Sequence, residues 1–258
     1  LVDFTDYGMS GQENPVFEAN PGGAPCNVLA LLRKYNKSCT FIGKIGNDFF
    51  GKMLTAILDE TGIDHKGLII DNYYNTTLAF VKNYENGDRE FSFYRHPGAD
   101  MMLSSDEVEY EQIKQSRIFH FGTLSMTDDN VKEATKRAIE TAKNNGLIIS
   151  FDPNLRPPLW KSLDDARNQI AYGLSQCDVL KISDNEIEFM TGTSDFDKGA
   201  TDNCSVGNQI TASFSATNRN DISRTIRCAD LNGEASKEFT YNVYAIDAAG
   251  NSDFCTVR

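Results

Sequence analysis

Short apolar runs alternate with amphipathic helical patterns between residues 40 and 200, and this alternation is the strongest constraint on the fold. The apolar runs, typical of buried strands, cover residues 40–42, 118–121, 147–151 and 179–182. Helical spacing recurs between them, and Gly62, Gly146 and Gly192 are typical helix stops. Such a pattern predicts a largely parallel sheet covered by helices. Ligands in these folds bind beyond the carboxyl ends of the strands, so polar residues after strands are the first site candidates.

Composition and charge exclude several classes of function. The chain has 258 residues, a net charge of -12 and 40% hydrophobic residues, which predicts a globular soluble protein of one large domain or one plus a small one. The acidic balance argues against a nucleic-acid partner, because phosphate contacts need clustered Lys and Arg. No apolar run approaches the roughly 18 residues of a membrane span, so no membrane association is expected.

A glycine-rich loop runs into a predicted helix at Gly22-Gly23-Ala24-Pro25-Cys26-Asn27. The two glycines allow a tight turn and a close approach to a ligand, and Pro25 suits a first helical turn. Free N–H groups and the positive end of the helix dipole favour oxygen-rich ligands at such a place. A helix start without any ligand explains these six residues equally well.

Three polar segments near strand ends are further candidates, each with a structural alternative. Asp3 follows a short apolar start and can accept two hydroxyls, although a surface carboxylate is the simpler explanation. Asp152, Asn154 and Arg156 form a stiff, proline-flanked loop that can orient hydroxyl or phosphate oxygens, or a rigid turn with an internal salt bridge. Glu186 could hold magnesium through water, or interact only with the dipole of its own helix.

Two further stretches indicate β structure. Residues 78–84 and 89–94 flank Glu85-Asn86-Gly87-Asp88, and Asn-Gly is a strong hairpin signal. After about Ala200 helical periodicity disappears, and alternating segments at 209–215 and 241–245 predict strands of a β-sandwich. Three of the six cysteines, Cys204, Cys228 and Cys255, crowd this tail and suggest a disulfide-bearing extracellular module, whereas Cys26, Cys39 and Cys177 fit buried or free thiols of a cytosolic protein.

Residues 1–200 resemble the ribokinase-like (PfkB) sugar kinases, most closely the bacterial fructokinases. The glycine-rich loop, together with Phe41-Ile42-Gly43-Lys44-Ile45-Gly46-Asn47-Asp48 and Gly51, resembles the first family signature. Asp152-Pro153-Asn154-Leu155-Arg156 and residues 181–188 with Thr191-Gly192 resemble later motifs, in the right order. The resemblance implies a doubly wound α/β domain with a small β lid formed by residues 16–20 and 77–94.

The resemblance also implies a reaction and roles for individual residues. ATP would phosphorylate a sugar hydroxyl with magnesium, in the cytoplasm, and the lid would pair two subunits in a homodimer. Asp3, Gly22, Gly23 and Asn27 would bind the sugar, while Arg95 and Arg156 would reach the sugar or its new phosphate. Asp152 and Asn154 would lie on the phosphate and nucleotide side, and Glu186 would organise magnesium indirectly. Ser183 stands where the family often has Asn, and no residue identifies the hexose.

Two departures from the family pattern shape the expected activity. Family members usually have a strand ending in Gly-Glu just before the segment that begins at Leu1. The second family signature, Asp-Thr-x-Gly-Ala-Gly-Asp, occurs nowhere in the 258 residues. Because its last Asp is the general base and its Gly-Ala-Gly the anion hole, we expect a truncated kinase domain that binds sugar without turning it over.

The tail, residues 201–258, resembles part of an immunoglobulin-like module of bacterial surface proteins, mainly through residues 241–251. Such a module takes about 100 residues, so this segment would be an incomplete sandwich. The kinase and tail parts imply opposite redox compartments. Two alternatives therefore stand beside the kinase: a chimeric or mis-assembled chain, and an extracellular adhesive protein.

Overall fold

The computed structural model describes residues 1–83 and 89–193, together with three strands in the tail at 211–213, 241–246 and 252–257. The chain divides into two compact units, Leu1–Ile182 and Ser183–Arg258, and each is described by itself. The boundary expected near residue 200 and the hairpin turn at residues 84–88 lie outside the described residues.

The first unit alternates strands and helices from β3 onward. Its strands are β1 (Val2–Met9), β2 (Pro15–Pro21), β3 (Thr40–Gly46), β4 (Asp64–Asp71), β5 (Leu78–Asn83), β6 (Arg89–Tyr94), β7 (Ile118–Gly122), β8 (Ile148–Asp152) and β9 (Val179–Leu180). Its helices are α1 (Ala24–Lys34), α2 (Phe49–Thr61), α3 (Tyr110–Lys114), α4 (Asp129–Asn144) and α5 (Leu163–Gln176). The predicted strand–helix order is therefore confirmed.

The lid is a four-stranded sheet in the order β2-β1-β5-β6. β1 pairs antiparallel with β2 and parallel with β5, and β5 and β6 form the predicted antiparallel hairpin. The rings of Phe4 and Phe80 stack at 4.9 Å, and Phe17 meets Phe80 edge-on at 5.2 Å. Asp3 is therefore the second residue of an eight-residue lid strand, rather than the end of a short strand as predicted, because β1 gains partners on both sides.

The parallel strands form two separate sheets in the part of the chain that the structure describes, β3-β4 and β7-β8-β9. A cavity of about 1800 Å³ is lined by residues of β3, β7 and α1. No residue of α1 is buried, and Leu31 and Tyr35 of its predicted apolar face are 55% and 59% exposed. The α/β class with parallel sheets is confirmed. Helix α1 faces this cavity rather than a packed strand.

Helix α4 packs against β8 through buried apolar side chains. Val131, Ala138 and Ile139 are at most 5% exposed, and Phe151 of β8 is fully buried. The N-cap of α4 is Asp128, whereas the hydroxyl of the preceding Thr127 accepts from Arg95 and donates to Leu124 O. β9 is also shorter than predicted, with two residues.

The second unit begins with helix α6 (Asp184–Thr191), which ends at Gly192 in the left-handed conformation, as predicted. Its strands β10 (Thr211–Ser213), β11 (Tyr241–Ile246) and β12 (Ser252–Val257) form one antiparallel sheet in that order. Among the described residues, no helix is long and apolar enough to cross a membrane.

Candidate functional site

Asp3 presents a carboxylate that the surrounding protein leaves unsatisfied. Its side chain is partly buried and, within the described residues, accepts no hydrogen bond. Burial raises the pKa of Asp3 above its ordinary value, and the positive charges of the Leu1 amino group and Arg156 partly offset this rise. A partly desolvated acceptor without a donor is suited to hydroxyl groups of a ligand.

Gly22 lies directly against this carboxylate, and Gly23 immediately precedes α1. A Cβ at Gly22 would overlap Asp3 Oδ2, so only glycine leaves the carboxylate in place. Gly23 has a φ of 111°, a conformation that side chains rarely adopt, and it provides no side-chain cap for α1. The N–H groups of the first helical turn are therefore not capped by the residue that precedes the helix.

Asn27 projects from the first turns of α1 next to the same loop. Its backbone N–H donates to Gly23 O at 3.0 Å, and its exposed side chain borders the large cavity. Within the described part of the chain, its amide makes no hydrogen bond to another residue. Asp3, Gly22, Gly23 and Asn27 thus form a polar cradle at the N-terminus of α1, and we call these four residues the cradle.

Arg156 lies between the lid and the cradle. Its guanidinium carbon is 5.3 Å from the ring centroid of Phe91 in β6, and its Nη1 donates to Leu155 O at 2.9 Å. Its charge lowers the pKa of Asp3, although the two side chains form no ion pair. Most of its donors are therefore not used by the described residues.

Arg95 is placed differently from Arg156. Its guanidinium is 3% exposed and donates to Asp100 Oδ2 at 2.7 Å, to Thr127 Oγ1 at 2.7 Å and to Leu124 O at 3.0 Å. All three nitrogens thus bind protein groups. Arg95 ties the end of β6 to the segment before α4, which is a structural arrangement.

Asp152 and Asn154 form a second polar group, at the carboxyl end of β8. Asp152 Oδ1 accepts from Asn154 N at 3.2 Å and from Lys181 Nζ at 3.2 Å. Asn154 has a φ of 45°, in the left-handed region that Asn tolerates better than most residues. Asp152 thus forms its ion pair with Lys181, which follows β9, and not with a residue of its own loop.

Glu186 closes the N-terminus of α6 in a capping box. Its Oε2 accepts from Ser183 N and from Ser183 Oγ, both at 2.8 Å, and the side chain is 6% exposed. Within the described residues, no group of three His, Cys, Asp or Glu side chains could hold a metal ion.

The sequence profile of the pfkB family carbohydrate kinases matches residues 2–213. The chain belongs to this family. Curated relatives of this pfkB chain include fructokinase-1 of Zea mays, 45% identical over 194 residues, which cover 74% of the chain and 60% of the relative. Probable fructokinase-3 of Arabidopsis thaliana is 43% identical over 199 residues, covering 76% of the chain and 58% of the relative.

Solved structures agree with this family and fold. The pfkB chain is similar to the ATP-bound fructokinase of Xylella fastidiosa, with a TM-score of 0.67 and 31% identity over 74% of the chain and 61% of that structure. A PfkB protein from Polaromonas, at 21% identity and a TM-score of 0.71, supports the fold alone. The chain spans about three fifths of the length of the curated relatives it matches.

Sequence reasoning missed two residues that contact the candidate site residues. Phe91 packs its ring against Arg156, and Lys181 pairs with Asp152. The alternation of Phe91 and Phe93 along β6 was a usable signal for an aromatic face on the lid. The local sequence does not predict that Lys181 pairs with Asp152, because β9 and β8 become neighbours only in the folded sheet.

Proposed function

We propose that this chain is the sugar-binding part of an ATP-dependent hexose kinase of fructokinase type. The observation that carries the proposal is the cradle: within the described residues the partly buried Asp3 carboxylate accepts no hydrogen bond, and a Cβ at Gly22 would overlap it. Membership in the pfkB family and the fructokinase relatives support the same substrate class. Which hexose is bound rests on this similarity alone.

In this proposal the cradle binds and orients the acceptor sugar. Asp3 accepts hydrogen bonds from two neighbouring hydroxyls, and the glycines let the backbone approach the ring closely. Asn27 supplies one further amide next to the loop. Arg156 offers its remaining donors to a phosphate, which is the group that the reaction would add.

ATP would supply the phosphoryl group, and magnesium would neutralise its charge. We propose Asp152 and Asn154 for the phosphate and nucleotide side, and Glu186 for indirect organisation of magnesium. The Asp-Thr-x-Gly-Ala-Gly-Asp segment is absent from the sequence. Without its general base we expect this chain to bind sugar and not to phosphorylate it.

Calorimetric titration with D-fructose tests the sugar-binding function. We expect weak binding to the wild type and at least a tenfold loss for Asn27→Ala and Asp3→Asn, because each removes a polar group of the cradle. Unchanged affinity in both variants would contradict the proposal.

A coupled ADP assay tests whether the chain phosphorylates the sugar. Fructose-dependent ADP release at a rate typical of kinases, about 1 to 100 per second, would show that the chain is active.

We place a lid-mediated homodimer and a cytoplasmic location in the same proposal. The lid carries exposed apolar side chains, with Tyr7 73%, Met9 65% and Tyr94 66% exposed. A second lid is a partner of matching character, since an exposed apolar patch is typical of an interaction surface. Analytical ultracentrifugation of the wild type and a Tyr7→Ser, Met9→Ser variant tests this, and a wild type that stays monomeric would contradict it.

A further inference from the structure

Phe91, on lid strand β6, contacts a charged residue of a different part of the fold. Its ring lies 5.3 Å from the guanidinium carbon of Arg156, in the loop after β8. Both side chains are partly buried, so water competes only in part for the guanidinium. At this distance the negative face of the ring attracts the cation, and the attraction is stronger where the pair is desolvated.

Without a contact that holds it in place, the Arg156 guanidinium would be expected to form an ion pair with a nearby carboxylate. Asp3 is near enough for the Arg156 charge to lower its pKa, yet no ion pair forms between them. Leu155 O accepts from one donor of Arg156, and the guanidinium carbon lies over the ring of Phe91. The remaining donors lie in the guanidinium plane, and the described residues make no ion pair with them.

We propose that Phe91 is a positioning residue that holds Arg156 at the edge of the cradle, ready to bind the phosphate of a phosphorylated sugar. The inference rests on the proposed sugar-kinase function. A planar guanidinium stacked on a ring keeps its donor edge free, and that edge matches phosphate oxygens bidentately. Phe91 also couples the lid to the loop after β8, so that the lid position sets the position of Arg156.

A double-mutant cycle on Phe91 and Arg156, read by titration with D-fructose 6-phosphate, tests the positioning role. Phe91→Leu should weaken binding of the sugar phosphate about fivefold, the equivalent of about 1 kcal/mol. Binding of uncharged D-fructose should change less than twofold. In the Arg156→Gln background, Phe91→Leu should have no further effect, because the residue that it positions is gone.

Two variants of the same strand separate a ring contact from general loosening of the lid. Phe91→Tyr keeps the ring and should restore wild-type binding. Phe93 lies on the same face of β6, stacks on Phe91 at 5.8 Å and makes no contact with Arg156, so Phe93→Leu should leave sugar-phosphate affinity within twofold. Equal losses for Phe91→Leu and Phe93→Leu, or an unchanged effect in the Arg156→Gln background, would overturn the proposal.

NMR of the Arg156 side chain tests the contact even if the wild type binds no sugar. The Nε–Hε signal, assigned by its loss in Arg156→Gln, should carry an upfield ring-current shift in the wild type and Phe91→Tyr, and lose it in Phe91→Leu. A signal unaffected by Phe91→Leu would refute the positioning role. Failure of sugar binding with this shift intact would refute the proposed function alone, so the two failures are distinguishable.

Discussion

Gly22 is the residue whose size sets the shape of the cradle. A Cβ added at Gly22 would overlap Asp3 Oδ2. It would lie 2.7 Å from Asp3 Cγ and 3.0 Å from Leu1 Cδ1. We expect Gly22→Ala to displace the carboxylate and to lower fructose affinity at least tenfold, about 1.4 kcal/mol. Calorimetric titration measures this loss.

Gly11→Ala is the matched control for Gly22→Ala, because an added Cβ there meets nothing within 4 Å. It should leave fructose affinity unchanged. If Gly22→Ala binds as well as the Gly11→Ala control, Asp3 does not depend on the close approach of the loop. Sequence reasoning predicted that Gly22 allows a close approach, but the group it approaches became known only from the fold, since β1 and the loop meet through strand pairing.

Asp3 gives the cradle a pH dependence of defined sign. Burial raises its pKa above the ordinary value of 3.8, although the Leu1 amino group and Arg156 partly offset the rise. Only the ionised form accepts hydrogen bonds from two hydroxyls, so fructose affinity should be full above this raised pKa. It should fall about tenfold per pH unit below it, because one proton blocks the site.

The control for this pH profile is Asp3→Asn, which cannot ionise and should bind weakly at every pH. Asn27→Ala should be weaker throughout but should keep the wild-type midpoint. Titrations between pH 3.5 and 7 measure the profiles. A wild-type midpoint below 3.8 would contradict the prediction that burial dominates the environment of Asp3.

At the scale of elements, Asp48 joins helix α2 to the start of β5. Its carboxylate accepts from Gly51 N and Thr76 N, both at 2.7 Å, and from Thr76 Oγ1 at 2.9 Å. Thr76 is 4% exposed, so its donors would be left buried and unpaired. We expect Asp48→Ala to lower the free energy of unfolding by about 2 to 3 kcal/mol.

Asp128→Ala is the control for Asp48→Ala, because Asp128 is a half-buried cap that accepts one hydrogen bond, from Asn130 N at 3.3 Å. It should cost about 0.5 kcal/mol. Urea unfolding measures both, and equal losses would contradict the bridging role of Asp48.

Burial disfavours the Asp48 charge, yet hydrogen bonds from Thr76 and Gly51 lower its pKa. Its contribution to stability is therefore full above 3.8 and is lost as the pH falls through the lower folded pKa.

These elements show which boundaries a sequence can predict. Both ends of α2 were predictable, because Asp48 and Gly62 act through bonds to residues close in sequence. The start of α4 was not, because Arg95 binds the Thr127 hydroxyl from 32 residues away. The order of the strands was also predictable from the sequence, and so were the glycines and polar residues of the cradle. Contacts such as Phe91 with Arg156 needed the fold, since the lid and the loop after β8 are distant in sequence.

At the scale of the whole first unit, the parallel strands differ in how many partners they have. Within the described residues, β8 pairs with β7 on one edge and β9 on the other, whereas β3 pairs only with β4 and β7 only with β8. Residues of β3 and β7 line the same cavity of about 1800 Å³. The helical and strand patterns of the sequence predicted these strands. They did not show that the sheet would be divided between β3 and β7.

This division predicts a pattern of hydrogen exchange. Along a parallel strand, backbone N–H groups alternate between the two edges, so about half of the amides of β3 and β7 point away from their single partner. Amides bonded within a ladder exchange only when it opens, and unbonded ones exchange quickly. We therefore expect fast exchange at alternate residues of β3 and β7 and uniform protection across residues 149–151 of β8, measured by NMR after transfer to D₂O. Equal protection in all three strands would contradict the divided sheet, because it would require both edges of β3 and β7 to be hydrogen-bonded.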